Sequence, residues 1–178
     1  MTNRKLNTFE LGRKSIDEYK AAEKNEIVVV LDNVRSQHNI GSVFRTADAF
    51  LLENIYLCGI SATPPNKEIH KSALGAEDSV PWKYYQDTLE AVKSLKEADY
   101  RLIAIEQTEK SISLEKMELS KKTKYALIFG NEVRGIQQEI INYCDYAVEI
   151  PQFGTKHSFN ISVSAGIVLW EVYKKLAL

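Results

Sequence analysis

Ile150-Pro151-Gln152-Phe153-Gly154-Thr155-Lys156-His157-Ser158-Phe159-Asn160-Ile161-Ser162-Val163-Ser164 runs from an apolar strand end, through a proline and a polar loop, into an apolar helix. Loops at the carboxyl ends of strands are where α/β sheets hold ligands, and helix starts offer free N–H groups. Two other stretches share this design: Asp32-Asn33-Val34-Arg35-Ser36-Gln37-His38-Asn39-Ile40-Gly41-Ser42-Val43-Phe44-Arg45-Thr46-Ala47 and Leu127-Ile128-Phe129-Gly130-Asn131-Glu132-Val133-Arg134-Gly135. Three polar, glycine-bearing loops after three apolar strands point to one shared site.

Working outward, the pattern alternates. The run Ile27–Leu31 reads as a buried strand, followed by a helix over Gly41–Phe50 with Val43, Ala47 and Phe50 on one side. Further strands are expected at Asn54–Cys58, Arg101–Ile105, Tyr125–Phe129 and Ala147–Ile150, with a possible edge strand at Trp82–Tyr85. Helices are expected at Lys67–Leu74, Thr88–Ala98, Ile136–Asn142 and Ile161–Leu176, and Ala62–Asn66 reads as loop. Upstream, Ser15–Lys24 reads as a short helix with Ser15 as N-cap and Glu18 completing a capping box. Strand–helix alternation with fully apolar strands means an α/β fold, a parallel sheet covered by helices on both faces. The division expected is an N-terminal extension over residues 1–26, then one domain over 27–178.

The last helix carries more apolar surface than one sheet face can cover. Ile161, Ala165, Val168, Leu169, Val172 and Leu176 share one side, with Val163, Ile167 and Trp170 elsewhere. Either the helix is deeply buried or a second subunit covers the rest.

Bulk composition excludes little. With 44% hydrophobic and 26% charged residues the 178-residue chain is an ordinary globular composition, expected as one domain with a substantial core. No apolar run approaches a membrane span and Met1-Thr2-Asn3-Arg4-Lys5 starts no signal peptide, so a cytoplasmic location is expected. Net charge is −1, so any nucleic-acid surface must be local. Cys58 and Cys144 lie far apart outside any Cys-x-x-Cys pattern, and no metal site is expected. Cys58 reads as a small buried residue at a strand end. Neither a Gly-x-Gly-x-x-Gly nor a P-loop fingerprint is present, which leaves an unrelated nucleotide-binding enzyme the weakest reading. No acidic residue is spaced to orient His38 or His157 as a catalyst.

The three loops together resemble a known set. Asn39-x-Gly41-x-x-x-Arg45-Thr46-Ala47 is similar to the first motif of the TrmH-type branch of the SPOUT RNA methyltransferases. Phe129-Gly130-x-Glu132-x-x-Gly135 resembles the second motif, and Ile150-Pro151 followed by Ser158-Phe159-Asn160-Ile161-Ser162 the third. Phe159 replaces a commoner leucine, and Gln152 stands where methionine is frequent. The resemblance implies a C-terminal trefoil knot, S-adenosylmethionine as cofactor, and methyl transfer to a ribose 2′-hydroxyl of RNA. It implies catalytic roles for Asn39, Arg45, Glu132, Ser158 and Asn160. Arg45 would bind the ribose-phosphate and stabilise developing alkoxide, since a guanidinium stays charged. Asn39 would hold its loop or help place Arg45, and Glu132 would orient Arg45 or the cofactor loop. Ser158 and Asn160 would bind the cofactor or a phosphate. Gly130, Asn131, Ile150, Ser158 and Phe159 would line the cofactor pocket, with Glu106 and Gln107 near it. Read alone, Gly130 is a turn residue, Ile150 a strand end and Phe159 helix-start packing.

The resemblance also implies a homodimer paired through helices that include the last one. About 26 residues precede the first strand, too few for the separate RNA-binding domain of several ribosomal-RNA members. That points first to tRNA and the D-loop guanosine, with ribosomal RNA as the alternative. A non-catalytic RNA-binding protein on the same scaffold is the other reading, and intact motif residues speak against it.

Overall fold

In the computed structural model, which describes residues 3–178, strand β1 spans Asn25–Asp32 and is buried from Ile27 to its end. Its side chains divide between two cores. Ile27, Val29 and Leu31 face one, Val28 and Val30 the other. An all-apolar run is what burial on both faces requires.

The remaining strands are β2 (Leu52–Cys58), β3 (Trp82–Tyr85), β4 (Tyr100–Ile105), β5 (Ile112–Ser113), β6 (Lys124–Phe129) and β7 (Tyr146–Glu149). They form one sheet in the order β3-β2-β1-β6-β4-β7-β5, parallel throughout. The helices are α1 (Ile16–Ala21), α2 (Gln37–Ala49), α3 (Lys67–Ala73), α4 (Ala76–Ser79), α5 (Thr88–Glu97), α6 (Gln138–Tyr143) and α7 (Ile161–Ala177). α2, α3 and α7 contribute to one core; α5 and α6 contribute to the other. α1 has the expected capping box, and its Tyr19 hydroxyl donates to the Leu52 carbonyl at 3.2 Å. Cys58 is fully buried at the end of β2.

The strand order places the functional loops. β1 leads outward to β2 and β3 on one side, while β6, β4 and β7 lie on the other. The loops after β1, β6, β4 and β7 therefore leave the same edge of four adjacent strands. A reversal of this kind is where doubly wound sheets open a crevice.

Several details differ from expectation. α2 starts at Gln37 rather than Gly41, so His38 and Asn39 belong to its first turn rather than to a loop. Gln37-His38-Asn39 is polar and gives no apolar periodicity to read. α6 begins two residues later than expected, and β7 ends at Glu149, leaving Ile150 just outside it. The short α4 and β5 and the 3-10 turns at Thr8–Leu11 and Leu114–Lys116 lie outside the expected elements; each is too short to show a period.

Gly41 allows α2 to lie against α3. A Cβ there would overlap Ser72 Oγ and the backbone carbonyl of Ile69. The serine can rotate, but the carbonyl belongs to a packed helix. Gly41→Ala is therefore expected to cost about 1–3 kcal/mol, the usual scale for overpacking. A urea unfolding midpoint equal to wild type would refute this.

On α7, Ile161, Ala165, Val168, Leu169 and Val172 are buried as their spacing requires. Val163 (49% exposed), Ile167 (37%) and Trp170 (49%) form a stripe outside the core. Phe50 packs against this helix, its ring 6.1 Å from Trp170 and 5.1 Å from Tyr173.

Candidate active site

Four loops meet at the carboxyl edge of the sheet. Between those after β4, β6 and β7 lies a cavity of about 720 Å³, within the ordinary range for small-molecule sites. Phe129, Ile150 and Phe159 supply apolar wall, and Glu149, Arg134 and Ser158 supply polar groups. Phe159 remains 40% exposed at the mouth. Every residue expected near a cofactor, namely Glu106, Gln107, Gly130, Asn131, Ile150, Ser158 and Phe159, lines this cavity. Glu132 and Asn160 line it as well, whereas Asn39 and Arg45 do not.

The loop after β6 is tightly self-bonded. Asn131 and Gly135 exchange two backbone hydrogen bonds, at 3.0 and 2.9 Å. The Asn131 carboxamide oxygen accepts from the N–H groups of Val133 and Arg134, and its Nδ2 donates to the Asn33 carbonyl at 2.7 Å. Both glycines have internal reasons. Gly135 holds φ +67° with Glu106 packed over it, and a Cβ on Gly130 would strike the Gly135–Ile136 backbone. The demand for glycine at 130 thus comes from its own loop, not from a positive φ. The Glu106 carboxylate accepts from Ile136 N–H and Gln107 N–H, both at 3.0 Å. It shapes the wall through loop backbone. Gln107 Nε2 donates to the His157 carbonyl at 2.9 Å, tying the loop after β4 to the loop after β7.

Glu132 occupies the junction of the three motifs. Its carboxylate accepts from the N–H groups of Arg35 (3.0 Å) and Ser36 (2.9 Å) and from Asn39 Nδ2 (3.1 Å). Ser36 is the N-cap of α2, its hydroxyl accepting from Asn39 N–H. A capping box normally places a glutamate three residues on to receive the N-cap N–H. Here Asn39 stands in that position, and Glu132 performs the task from a distant loop. Burial works to raise the Glu132 pKa. The N–H groups of Arg35 and Ser36 and the Asn39 amide outweigh it, and the carboxyl lies below its ordinary value.

Asn39 passes the connection on. Its Oδ1 accepts from Asn160 Nδ2 at 3.1 Å, and Asn160 Oδ1 caps α7 by accepting from Ser162 N–H at 2.9 Å. One side-chain chain, Glu132–Asn39–Asn160, therefore joins the loop after β6 to the first turns of α2 and α7. Glu132 forms no hydrogen bond to Arg45 and no ion pair with Arg134 among the described residues, so the expected orientation of Arg45 by Glu132 is not a direct contact. Arg45 is exposed on α2 and has no ion-pair partner among the described residues.

Asp32 is a further functional residue of the site that the sequence pattern does not assign. Fully buried at the end of β1, it accepts from Thr88 Oγ1 (2.6 Å), Asn33 Nδ2 (2.8 Å), Gln137 N–H and Gln137 Nε2 (both 3.0 Å). It ties the starts of α5 and α6 to the central strand. An acid closing an all-apolar strand was the available signal.

The SpoU rRNA methylase family model matches residues 26–170. The chain belongs to the SpoU rRNA methylase family. YacO of Bacillus subtilis, named for the TrmH family of tRNA/rRNA methyltransferases, is 32% identical over 162 residues, covering 89% of this chain and 64% of YacO. The tRNA (guanosine(18)-2′-O)-methyltransferase of Aquifex aeolicus is 27% identical over 165 residues, covering 91% of this chain and 75% of that protein. A crystal structure of an AdoMet-bound rRNA methyltransferase from Sinorhizobium meliloti superposes with a TM-score of 0.79. It is 27% identical, covering 88% of this chain and 59% of that one. The chain spans under two thirds of the length of several curated relatives it matches. The cavity between the loops after β4, β6 and β7 is thus part of a SpoU-family domain.

Proposed function

We propose that this chain transfers the methyl group of S-adenosylmethionine to a ribose 2′-hydroxyl of RNA. The observation that carries the reading is the Glu132–Asn39–Asn160 chain at the rim of the cavity. It brings all three motif regions together beside the cavity.

The cavity fits the cofactor by its chemistry. An adenosine needs apolar wall, which Phe129, Ile150 and Phe159 provide, and a sulfonium tolerates nearby carboxylates such as Glu149. When bound, the cofactor supplies an electrophilic methyl group. Gly130, Asn131, Ile150, Ser158 and Phe159 would hold it, with Gln107 bracing the loop after β7 and Glu106 the loop after β6. Arg45 would grip the ribose-phosphate and donate to the oxygen as negative charge develops there. A guanidinium holds its proton, so Arg45 is not the proton acceptor. Asn39 and Asn160 hold the starts of α2 and α7 in register, and Glu132 holds α2 to the loop beneath.

The substrate we favour is tRNA, at the D-loop guanosine, in keeping with the similarity to the Aquifex enzyme. Ribosomal RNA is the alternative, in keeping with the Sinorhizobium structure. We further propose that residues 27–178 form the methyltransferase domain behind a 1–26 extension, and that its C-terminal part is knotted. The family resemblance is what supports the knot. No helix among the described residues is long and apolar enough to cross a membrane, and the site of action proposed is the cytoplasm. Labelled methyl transfer to total tRNA and to ribosomal RNA, followed by nucleoside analysis, tests the activity. Label confined to bases, or absent from both pools, would overturn it.

A homodimer completes the proposal. The stripe of Val163, Ile167 and Trp170 is apolar and uncovered, and α7 begins at the site. Ile167→Glu is expected to dissociate the dimer and lower RNA methylation together, because it places an unpaired charge in the contact. Sedimentation equilibrium showing a fully active wild-type monomer at micromolar concentration would refute it.

A further inference from the structure

The chain has six arginines, and their placement is uneven. Arg4 pairs with Glu10 at 2.8 Å, Arg101 lies over the Tyr146 ring, and Arg13 belongs to the N-terminal segment. Arg35 and Arg134 flank the motif junction, and Arg45 lies further along α2. All three are exposed and none forms an ion pair or side-chain hydrogen bond among the described residues. The resemblance to known methyltransferases accounts for Arg45 alone.

We infer that Arg35 and Arg134 form a two-pronged clamp for the phosphate backbone of the RNA, beside the cofactor cavity. The inference rests on the methyltransferase reading for the identity of the anion, and on geometry for its place. The two arginines stand on separate loops stitched together at backbone level. Glu132 accepts from the Arg35 N–H itself, and Asn131 donates to the Asn33 carbonyl while accepting from the Arg134 N–H. Both guanidiniums therefore project from anchored positions. Arg134 borders the cavity and Arg35 stands just outside it.

The nearby acids do not pair with them. Glu132 gives its oxygens to two backbone N–H groups and the Asn39 amide. Glu106 gives its oxygens to Ile136 and Gln107 N–H, and buried Asp32 is saturated by Thr88, Asn33 and Gln137. These carboxylates are engaged with backbone N–H groups and neutral side chains, leaving the two guanidiniums exposed and, among the described residues, unpaired. In a protein of net charge −1, these are exposed, unpaired guanidiniums beside the cavity, where an RNA chain must pass. Guanidinium forks suit phosphate oxygens better than a lysine point charge does.

The test measures binding of a fluorescein-labelled, unmodified tRNA transcript over a series of KCl concentrations. Wild type, Arg35→Ala, Arg35→Lys and Arg35→Ala/Arg134→Ala are compared. Each lost phosphate contact is expected to reduce the slope of log K against log salt by about 0.7–0.9, and Arg35→Lys is expected to keep the wild-type slope. Affinity at low salt is expected to fall about tenfold per arginine, while Arg35→Ala binds S-adenosylmethionine as wild type does by calorimetry, which also reports that it is folded. An unchanged slope in the double variant overturns the clamp and leaves the methyltransferase reading standing. A reduced slope in a protein whose wild type transfers no methyl group supports the clamp and overturns that reading. A wild type that binds no RNA at any salt overturns both.

Discussion

Arg45→Ala is expected to lower methyl-transfer turnover by about 10²–10³-fold, the usual cost of losing a donor aimed at developing charge. Cofactor affinity is expected to stay near wild type, because Arg45 is exposed on α2 and does not line the cavity. It has no ion-pair partner among the described residues, so its removal leaves no buried charge behind and stability is expected to change little. Arg45→Lys is expected to fail nearly as badly, since an ammonium cannot reproduce a planar fork. Single-turnover methyl transfer with calorimetric cofactor titration checks both. Near-normal turnover in Arg45→Lys would show that positive charge alone suffices.

Glu132→Ala should produce the second large effect, by a different route. It strips the partner from Arg35 N–H, Ser36 N–H and Asn39 Nδ2 together. The site is partly open to water, so the expected loss of stability is about 1–3 kcal/mol rather than the full sum of three charged hydrogen bonds. Turnover is expected to fall further than stability implies, to about 10²-fold below wild type, because a small displacement of α2 misplaces Arg45. The same carboxylate sets a pH dependence. Its folded-state pKa lies below the ordinary value of 4.5. Its contribution is therefore fully present above that ordinary value and is lost as pH falls through the lower, folded-state value. Glu132→Gln is expected to flatten this acid limb. Chemical unfolding at a series of pH values measures it, and identical limbs in both proteins would remove Glu132 from the linkage.

Much of this architecture is legible in the amino-acid order. Aliphatic runs such as Ile27–Leu31 and Tyr125–Phe129 announce strands buried on both faces, because nothing polar could sit on either side of them. Ser15 and Glu18 announce α1, because a capping box is a local event. α2 shows the limit of such reading. Its first turn is Gln37-His38-Asn39, with no apolar member, and the glutamate that completes its cap is Glu132. No window of local sequence contains both halves of that arrangement. The same holds for Gly41 and Gly130, whose neighbours, the Ile69 carbonyl and the Gly135–Ile136 backbone, are defined only by folding. The cavity wall is legible only through the family resemblance, because alone Gly130 reads as a turn residue, Ile150 as a strand end and Phe159 as helix-start packing. The role of Asp32 is not legible locally, because its partners Thr88 and Gln137 lie 56 and 105 residues away.

The long-range cap on α2 bears on how the chain matures during synthesis. Glu132 is separated by 97 residues from Arg35 and by 96 from Ser36. Domains emerge from the ribosome amino end first, and contacts between distant residues close late. A nascent chain that has released β1, α2, β2 and β3 already displays Arg45, on a helix whose first turn still lacks its carboxylate. Only when β6 has inserted beside β1 does Glu132 arrive, and only when α7 begins does Asn160 meet Asn39. The arginine-bearing helix is thus finished last by the segments that also build the cavity. A half-made chain exposes an arginine-bearing helix without the competence to use it.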